Sequence, residues 1–186
     1  IVIESTLKEA DQKMAKAVEH TRDEFAAIRT GRAHPAMFSQ IVVDYYGTPT
    51  PLQQLAGFQV PEPRTVIISP YDVGAKSAIE KAIRESDPGV NPSDDGKALR
   101  GNLPELTEDR RREYIKLAKT KAEDGKVAVR NVRRGAKQAL DRAEKDSEIS
   151  QDENSGAEKR LDAMTKKFVD EIDEALKAKE AELLDV

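Results

Sequence analysis

Leu7, Met14, Thr21 and Ile28 recur every seven residues at the start of the chain, and Asp11, Val18 and Phe25 form a second register beside them. Two interleaved sevens make spacings of three and four, so residues 1–29 read as a charged helix with a mostly apolar stripe. The pattern should stop at Thr30-Gly31-Arg32-Ala33-His34-Pro35, because glycine ends helices well and proline cannot continue the hydrogen-bond ladder. Residues 36–103 have a different period, and the prolines concentrate there. Ile41-Val42-Val43-Asp44-Tyr45-Tyr46 is a β-branched and aromatic run that reads as a strand, with Tyr45 and Tyr46 pointing to opposite faces. Gly47-Thr48-Pro49-Thr50-Pro51 reads as a turn, and Phe58-Gln59-Val60 and Thr65 to Ser69 as further strands. Asp72 is placed to cap a short helix reaching about Ser86, with Ile79 and Ile83 inward, and Asp95-Gly96 leads into a last strand at Lys97 to Arg100.

Helical spacing returns after Pro104. Thr107 is an N-cap candidate, and Glu108 and Asp109 suit a helix N-terminus. Ile115, Ala118, Ala122, Gly125, Val129, Val132, Ala136, Ala139 and Ala143 then alternate by three and four, and so many small inward residues imply a close helix crossing. A polar break from Asp146 to Gly156 precedes a third helix marked by Leu161, Met164, Phe168, Ile172, Leu176 and Leu183. The chain is therefore read as α+β: an elongated three-helix bundle, residues 1–29 plus 105–186, with a small β/α/β domain inserted at 30–104. Two chain crossings join the parts, at about 30–33 and 103–105, and two adjacent crossings make a natural hinge, with Thr30, Gly31, Leu103, Pro104 and Glu105 as its residues.

Composition narrows the chemistry. In 186 residues, 38% are hydrophobic, 35% charged and 4% aromatic, with no Trp, which suits long one-striped helices better than a large globular core. There is no Cys, so disulfides, thiolate metal sites and Cys nucleophiles are excluded. No run approaches the roughly twenty apolar residues of a membrane span, and Ile1-Val2-Ile3-Glu4 does not read as a signal peptide. His20 and His34 are the only histidines, and no HExxH, GxSxG, P-loop or GxGxxG pattern exists, so neither an enzyme nor a cofactor site is expected. Asp94-Asp95-Gly96 lacks the other ligand positions of a calcium loop and reads as a turn, leaving no metal site.

Charge gives the sharpest clue. Glu108 to Lys145 holds thirteen basic and seven acidic residues, a net +6, in a chain of net −4, while Asp146 to Val186 is −7. From Lys126 to Gln138 there are five basic residues and no acid. Arg130, Arg133, Arg134 and Lys137 are spaced i, i+3, i+4, i+7 and share a face. An ordinary solvated helix face would carry acidic i,i+4 partners, and Arg130 and Arg133 have none within four residues. Arginine suits bidentate phosphate contact, and with no interleaved aromatics the recognition expected is of backbone and shape rather than of stacked bases. Arg110-Arg111-Arg112 lies in a first helical turn, where the helix dipole disfavours cations; this hints at a local anion, although pairing with Glu108, Asp109 and Glu113 serves equally well. An adaptor or chaperone bundle meeting an acidic protein partner is the alternative reading.

Five segments occur in order: Ile28-Arg29-Thr30-Gly31-Arg32-Ala33, Asp44 to Leu52, Gly89-Val90-Asn91-Pro92, Leu106 to Arg111, and Val127 to Arg134. With the closing Lys179-Glu180-Ala181-Glu182-Leu183-Leu184, they make the chain resemble the bacterial ribosome recycling factor family along its whole length. The resemblance implies an L-shaped molecule close to a transfer RNA in outline. It implies a cytoplasmic, monomeric protein that, with elongation factor G and GTP, splits post-termination ribosomes into subunits. It further implies that Arg130 and Arg133, with Arg134 and Lys137 near them, meet large-subunit ribosomal RNA at the intersubunit face, with Arg29 and Arg32 adding basic contacts near the hinge. The mobile smaller domain would receive the push from the GTPase. The chain departs from the family pattern at Pro88, Gly101, Gly125 and Gly135.

Overall fold

A computed structural model describes residues 1–86 and 90–184. Pro88 and Gly89, named above, lie outside the described residues. The elements are helix α1 (Val2–Ala26), strands β1 (Val42–Tyr45), β2 (Thr48–Pro51), β3 (Ala56–Glu62) and β4 (Thr65–Pro70), helix α2 (Lys76–Glu85), strands β5 (Asn91–Asp95) and β6 (Ala98–Asn102), and helices α3 (Glu108–Lys145) and α4 (Gln151–Leu184). The chain forms two compact units. One joins Ile1–Phe25 to Lys116–Ala181, and the other spans Ala26–Ile115 with the end of α4.

The helical unit is built on small residues. Leu7, Ala10, Met14, Val18, Thr21 and Phe25 are the buried stripe of α1; Ala10, not Asp11, fills the inner position, and Asp11 is exposed. In α3 the buried residues are Ala118, Ala122, Gly125, Val129, Ala136, Leu140 and Ala143. Ala139, expected inward, is exposed; from Ala136 a step of four reaches Leu140, and burying leucine removes more apolar surface from water than burying alanine. Gly125 lies against Thr21: a Cβ there would collide with Thr21 Oγ1 and stand 3.1 Å from its Cβ and Cγ2. Lys121 Nζ also meets Glu24 Oε2 at 3.1 Å, so α1 and α3 run antiparallel. Arg160 grips Glu4 at 2.7 and 3.3 Å, tying α4 to α1.

The link between α3 and α4 is shorter than the polar break read from the sequence, because α4 begins at Gln151 and includes Gly156. Ser147 ends α3 in a left-handed conformation (φ 60°), and the Glu148 N–H donates to Ala143 O at 2.8 Å. That six-residue hydrogen bond is the one a Schellman C-cap makes. Ser150 then caps α4: its Oγ accepts from the Glu153 N–H at 3.0 Å, and Glu153 Oε1 accepts from the Ser150 N–H at 3.0 Å. This is a capping box, and the Ser150 N–H is the largest cause holding the Glu153 carboxyl below its ordinary range.

In the second unit, β3-β4-β6-β5 form an antiparallel sheet and β1-β2 a separate hairpin. Val43, Leu52, Val66, Ile68, Ile79, Ile83 and Leu99 form a fully buried core with Phe38, whose ring stacks on Phe58 at 5.3 Å. Thr48–Pro51, expected as a turn, is a strand. Leu52 N–H donates to Ile41 O at 2.9 Å, so the odd-numbered Pro49 and Pro51 put their missing N–H groups on the unpaired edge, where the ladder does not need them. β5, an Asn-Pro-Ser-Asp-Asp strand, was not legible by β-propensity and is likewise an edge. Gly101 of β6 lacks a side chain, and Val66 and Val90 stand where one would go, with Cγ1 atoms 3.0 and 2.8 Å from a Cβ built there.

Tyr45 and Tyr46 do not diverge. Tyr46 lies just after β1 with φ 49°, and that left-handed step swings its ring to 4.7 Å from that of Tyr45. Both hydroxyls donate to Asp72 Oδ2, at 3.0 and 3.1 Å, while Asp72 Oδ1 accepts from the Gly74 N–H at 2.9 Å. Asp72 thus caps the short turn Val73–Ala75 that runs into α2, as the sequence predicts.

Candidate nucleic-acid interface

Thr107 Oγ1 accepts from the Arg110 N–H at 3.2 Å and starts α3, which then carries its cations along 38 residues without a break. The four basic residues of the Arg130 stretch separate into two rows. Arg133 and Lys137 turn towards α4. Arg133 Nε donates to Asp162 Oδ1 at 2.7 Å, with Glu158 at 3.7 Å, and Lys137 Nζ meets Glu158 at 3.0 Å and Asp141 at 2.8 Å. Lys126 belongs to this row too, at 2.5 Å from Asp173. The partners absent from residues 126–138 are therefore largely supplied by the neighbouring helix, which the sequence read on one helix at a time does not reveal.

Arg130 and Arg134 form the outer row. Arg130 is exposed, with one loose contact to Glu123 at 3.5 Å, and Arg134 is exposed with no ion-pair partner among the described residues. Lys116 and Lys145 lie on the same side of α3 by helical spacing, and both are exposed.

Buried Asn154 anchors the inner row. Its Nδ2 donates to Asp141 Oδ1 and Glu144 Oε1, each at 3.0 Å, and its Oδ1 accepts from Lys137 Nζ at 3.4 Å. Asp141, first, and Glu158 push the Lys137 ammonium above its ordinary value; Lys137, then Asn154, hold the Asp141 carboxyl below its own. Lys137 is thus part of a polar knot at the α3–α4 turn. The sequence signal for Asn154 is slight, a polar residue in the first turn of a helix.

The basic residues near the connections differ from one another. Arg32 is exposed, whereas Arg29 is buried, with 5% of its surface exposed. Gly31 has φ 79°, and Leu106 would lie 3.4 Å from a Cβ on it. The Ala33 N–H donates to Pro63 O at 2.7 Å and the Leu103 N–H to Arg64 O at 2.8 Å, so one turn between β3 and β4 holds both connections. Sequence reasoning missed that turn. Thr30, Pro104 and Glu105 flank these clamped positions outside any helix or strand.

The histidines have structural partners: His34 Nδ1 accepts from the Ala36 N–H at 3.0 Å, and His20 lies 3.4 Å from Glu24. Asp94 bonds Lys76 at 2.8 Å and accepts from the Gly96 N–H at 3.0 Å, as a turn residue does. Among the described residues no group of three or more acidic, His or Cys side chains could hold a metal ion, and no helix is long and apolar enough to cross a membrane.

The fold and the exposed arginines define a class: α+β proteins of long antiparallel helices and a small antiparallel sheet unit, presenting a cationic helix face. The sequence model of the ribosome recycling factor family matches residues 21–184. The ribosome-recycling factor of Nocardioides sp. is 65% identical over all of both chains, and that of Thermobifida fusca 63% over the same extent. A solution structure of a ribosome recycling factor superposes with a TM-score of 0.78 at 43% identity, covering 100% of this chain and 99% of that one. A second structure, modelling the T. thermophilus ribosome recycling factor and E. coli elongation factor G on the E. coli post-termination complex, gives 0.70 at 40% identity, covering 99% and 100%. The chain belongs to the ribosome recycling factor family.

Proposed function

We propose that this protein recycles bacterial ribosomes: with elongation factor G and GTP it separates the subunits of a post-termination ribosome. The observation that carries the surface assignment is the outer row of α3, where Arg134 has no acidic partner among the described residues and Arg130 only a loose one. These two would meet phosphates of large-subunit ribosomal RNA at the intersubunit face. Arg133 and Lys137 would join by exchanging α4 carboxylates for phosphate oxygens, and exposed Arg32 would add a contact, with Arg29 supporting it from the interior. GTP hydrolysis would belong to the elongation factor, since the recycling role asks this chain for binding and transmission of force rather than bond chemistry. The protein would act in the cytoplasm as a monomer.

The hinge would use the segments beside the clamp. With Ala33 and Leu103 held by Pro63 and Arg64, bending falls to Thr30–Arg32 on one connection and Pro104–Glu105 on the other. A left-handed Gly31 supports this, because other residues rarely adopt that conformation. An adaptor for an acidic protein is not favoured, since full-length relatives are ribosome-recycling factors.

The test mixes the protein with post-termination ribosomes, elongation factor G and GTP and follows light scattering. A drop that needs all components, and that Arg130→Ala with Arg134→Ala slows, is expected. Failure of the protein to bind ribosomes at low salt would sink the reading.

A further inference from the structure

Arg110, Arg111 and Arg112 are consecutive at the start of α3, yet their surroundings differ. Arg110 has Glu113 at 3.5 Å and Arg112 has Glu108 at 3.4 Å. Arg111 has no carboxylate partner among the described residues, and its Nε is buried with no hydrogen-bond partner. A buried guanidinium nitrogen without an acceptor is costly, and native structures seldom leave one so without a reason.

Arg111 lines a cleft of about 150 Å³ together with Arg32 and Arg64. The one acidic side chain of the lining is Glu105, mostly exposed at the rim and 3.4 Å from Arg64. Three guanidiniums and one carboxylate line the cleft. The three arginines come from separate stretches of chain: Arg32 from the first connection, Arg64 from the turn between β3 and β4, and Arg111 from α3. The backbone bonds from Ala33 to Pro63 and from Leu103 to Arg64 hold those stretches together. Gly31 closes one wall, packed close to Leu106. The geometry is thus built by the fold rather than by chance meeting of surface side chains.

We propose that Arg32, Arg64 and Arg111 form a binding site for one phosphate group. Guanidinium forks match the oxygens of a tetrahedral oxyanion, and charge-assisted bonds of this kind are the strong ones. The cleft, about 150 Å³ and open to solvent on one side, has room for a phosphate group. The group is either free inorganic phosphate or a phosphate of an RNA chain, and both present the same oxygens to the arginines. The site is separate from the outer row of α3 and does not depend on that row binding RNA.

The test uses the full chain, ¹⁵N-labelled at arginine, and follows the Arg111 Nε–Hε resonance at fixed ionic strength. Inorganic phosphate should shift this resonance saturably while chloride does not, and Arg64→Ala, a change at a half-exposed rim position, should abolish the saturation. A short RNA is titrated in parallel. Saturation with RNA alone assigns the site to a chain phosphate, and saturation with both shows that free phosphate suffices. No shift with either, or an equal response to acetate, overturns the proposal, the second result marking a carboxylate site for an acidic protein. Arg111→Lys, which keeps the charge, should bind phosphate more weakly with an unchanged circular dichroism spectrum. No ribosome enters the experiment, so its failure is distinct from failure of the recycling reading.

Discussion

An alanine at position 125 would press its Cβ against Thr21, whose Oγ1 is already committed to Ala17 O at 2.9 Å. Overpacking of this kind costs about 1–3 kcal/mol, more than the up to about 1 kcal/mol that alanine gains over glycine in a helix. Gly125→Ala should therefore lower stability in a urea titration. Thr21→Ala in the same chain should recover part of the loss, with a coupling of about 0.5–3 kcal/mol. Ten residues on, Gly135 is exposed and nothing lies within 4 Å of a Cβ built there, so Gly135→Ala should stabilise by about 0.5–1 kcal/mol. The two glycines look alike in sequence, and only the partner helix separates them.

At the scale of elements, two features of the α3–α4 turn make opposite predictions. Ser147 occupies a left-handed position that costs a non-glycine residue roughly 1–2 kcal/mol, so Ser147→Gly should raise the thermal midpoint. Ser150→Ala removes an N-cap and should cost about 1 kcal/mol by the same measurement. The Ser150-x-x-Glu153 pattern was readable, but a run of polar residues up to Gly156 hid it, since a solvated helix turn and a loop have the same composition. Long helices were legible because a repeat of three and four over many turns has few competing explanations; the bounds of α3 follow directly from Thr107 and the stripe. β2 and β5 were not legible because edge strands tolerate proline and polar residues. The meeting of Tyr45, Tyr46 and Asp72 was hidden by one residue with positive φ.

That cluster has a pH signature. The Gly74 N–H, first, and the Tyr45 hydroxyl hold the Asp72 carboxyl below its ordinary value. Its folded pKa lies below its unfolded one, so the stabilisation is present above the unfolded value, near about 3.9, and is lost as pH falls through the folded value. The Asp72 hydrogen bond, first, raises both tyrosines, so their contribution is full below about pH 10 and fades as pH rises through their folded values. Melting curves should show the wild-type advantage over Asp72→Asn at neutral pH shrinking in acid. An advantage independent of pH would mean that the carboxylate charge plays no part.

For the whole molecule, the sequence showed where positive charge gathers but not which part of it faces outward. Charge was counted along the chain, whereas the carboxylates opposite Arg133 and Lys137 come from residues 158 and 162, on the next helix. The two rows should respond differently to loss of a cation. Phosphate contacts release counterions, so binding to ribosomes should fall linearly in log–log form with salt, by about 0.7–0.9 in slope per phosphate neutralised. Arg134→Ala removes a cation with no ion-pair partner among the described residues, so it should weaken binding, reduce that slope by about 1 and leave the melting temperature unchanged. Arg133→Ala would also remove a proposed phosphate contact, but it exposes Asp162 and Glu158 beside the same surface. It should therefore weaken binding more than Arg134→Ala and lower stability as well, by up to about 1 kcal/mol for a pair of this exposure. Sedimentation over a potassium chloride series, paired with thermal melts, measures both quantities. Equal losses of affinity with no change in stability would mean that α4 is a bystander and that all four cations act as one face; a larger loss for Arg133→Ala would mean that the acidic helix holds the inner row in readiness and releases it only when phosphate replaces carboxylate.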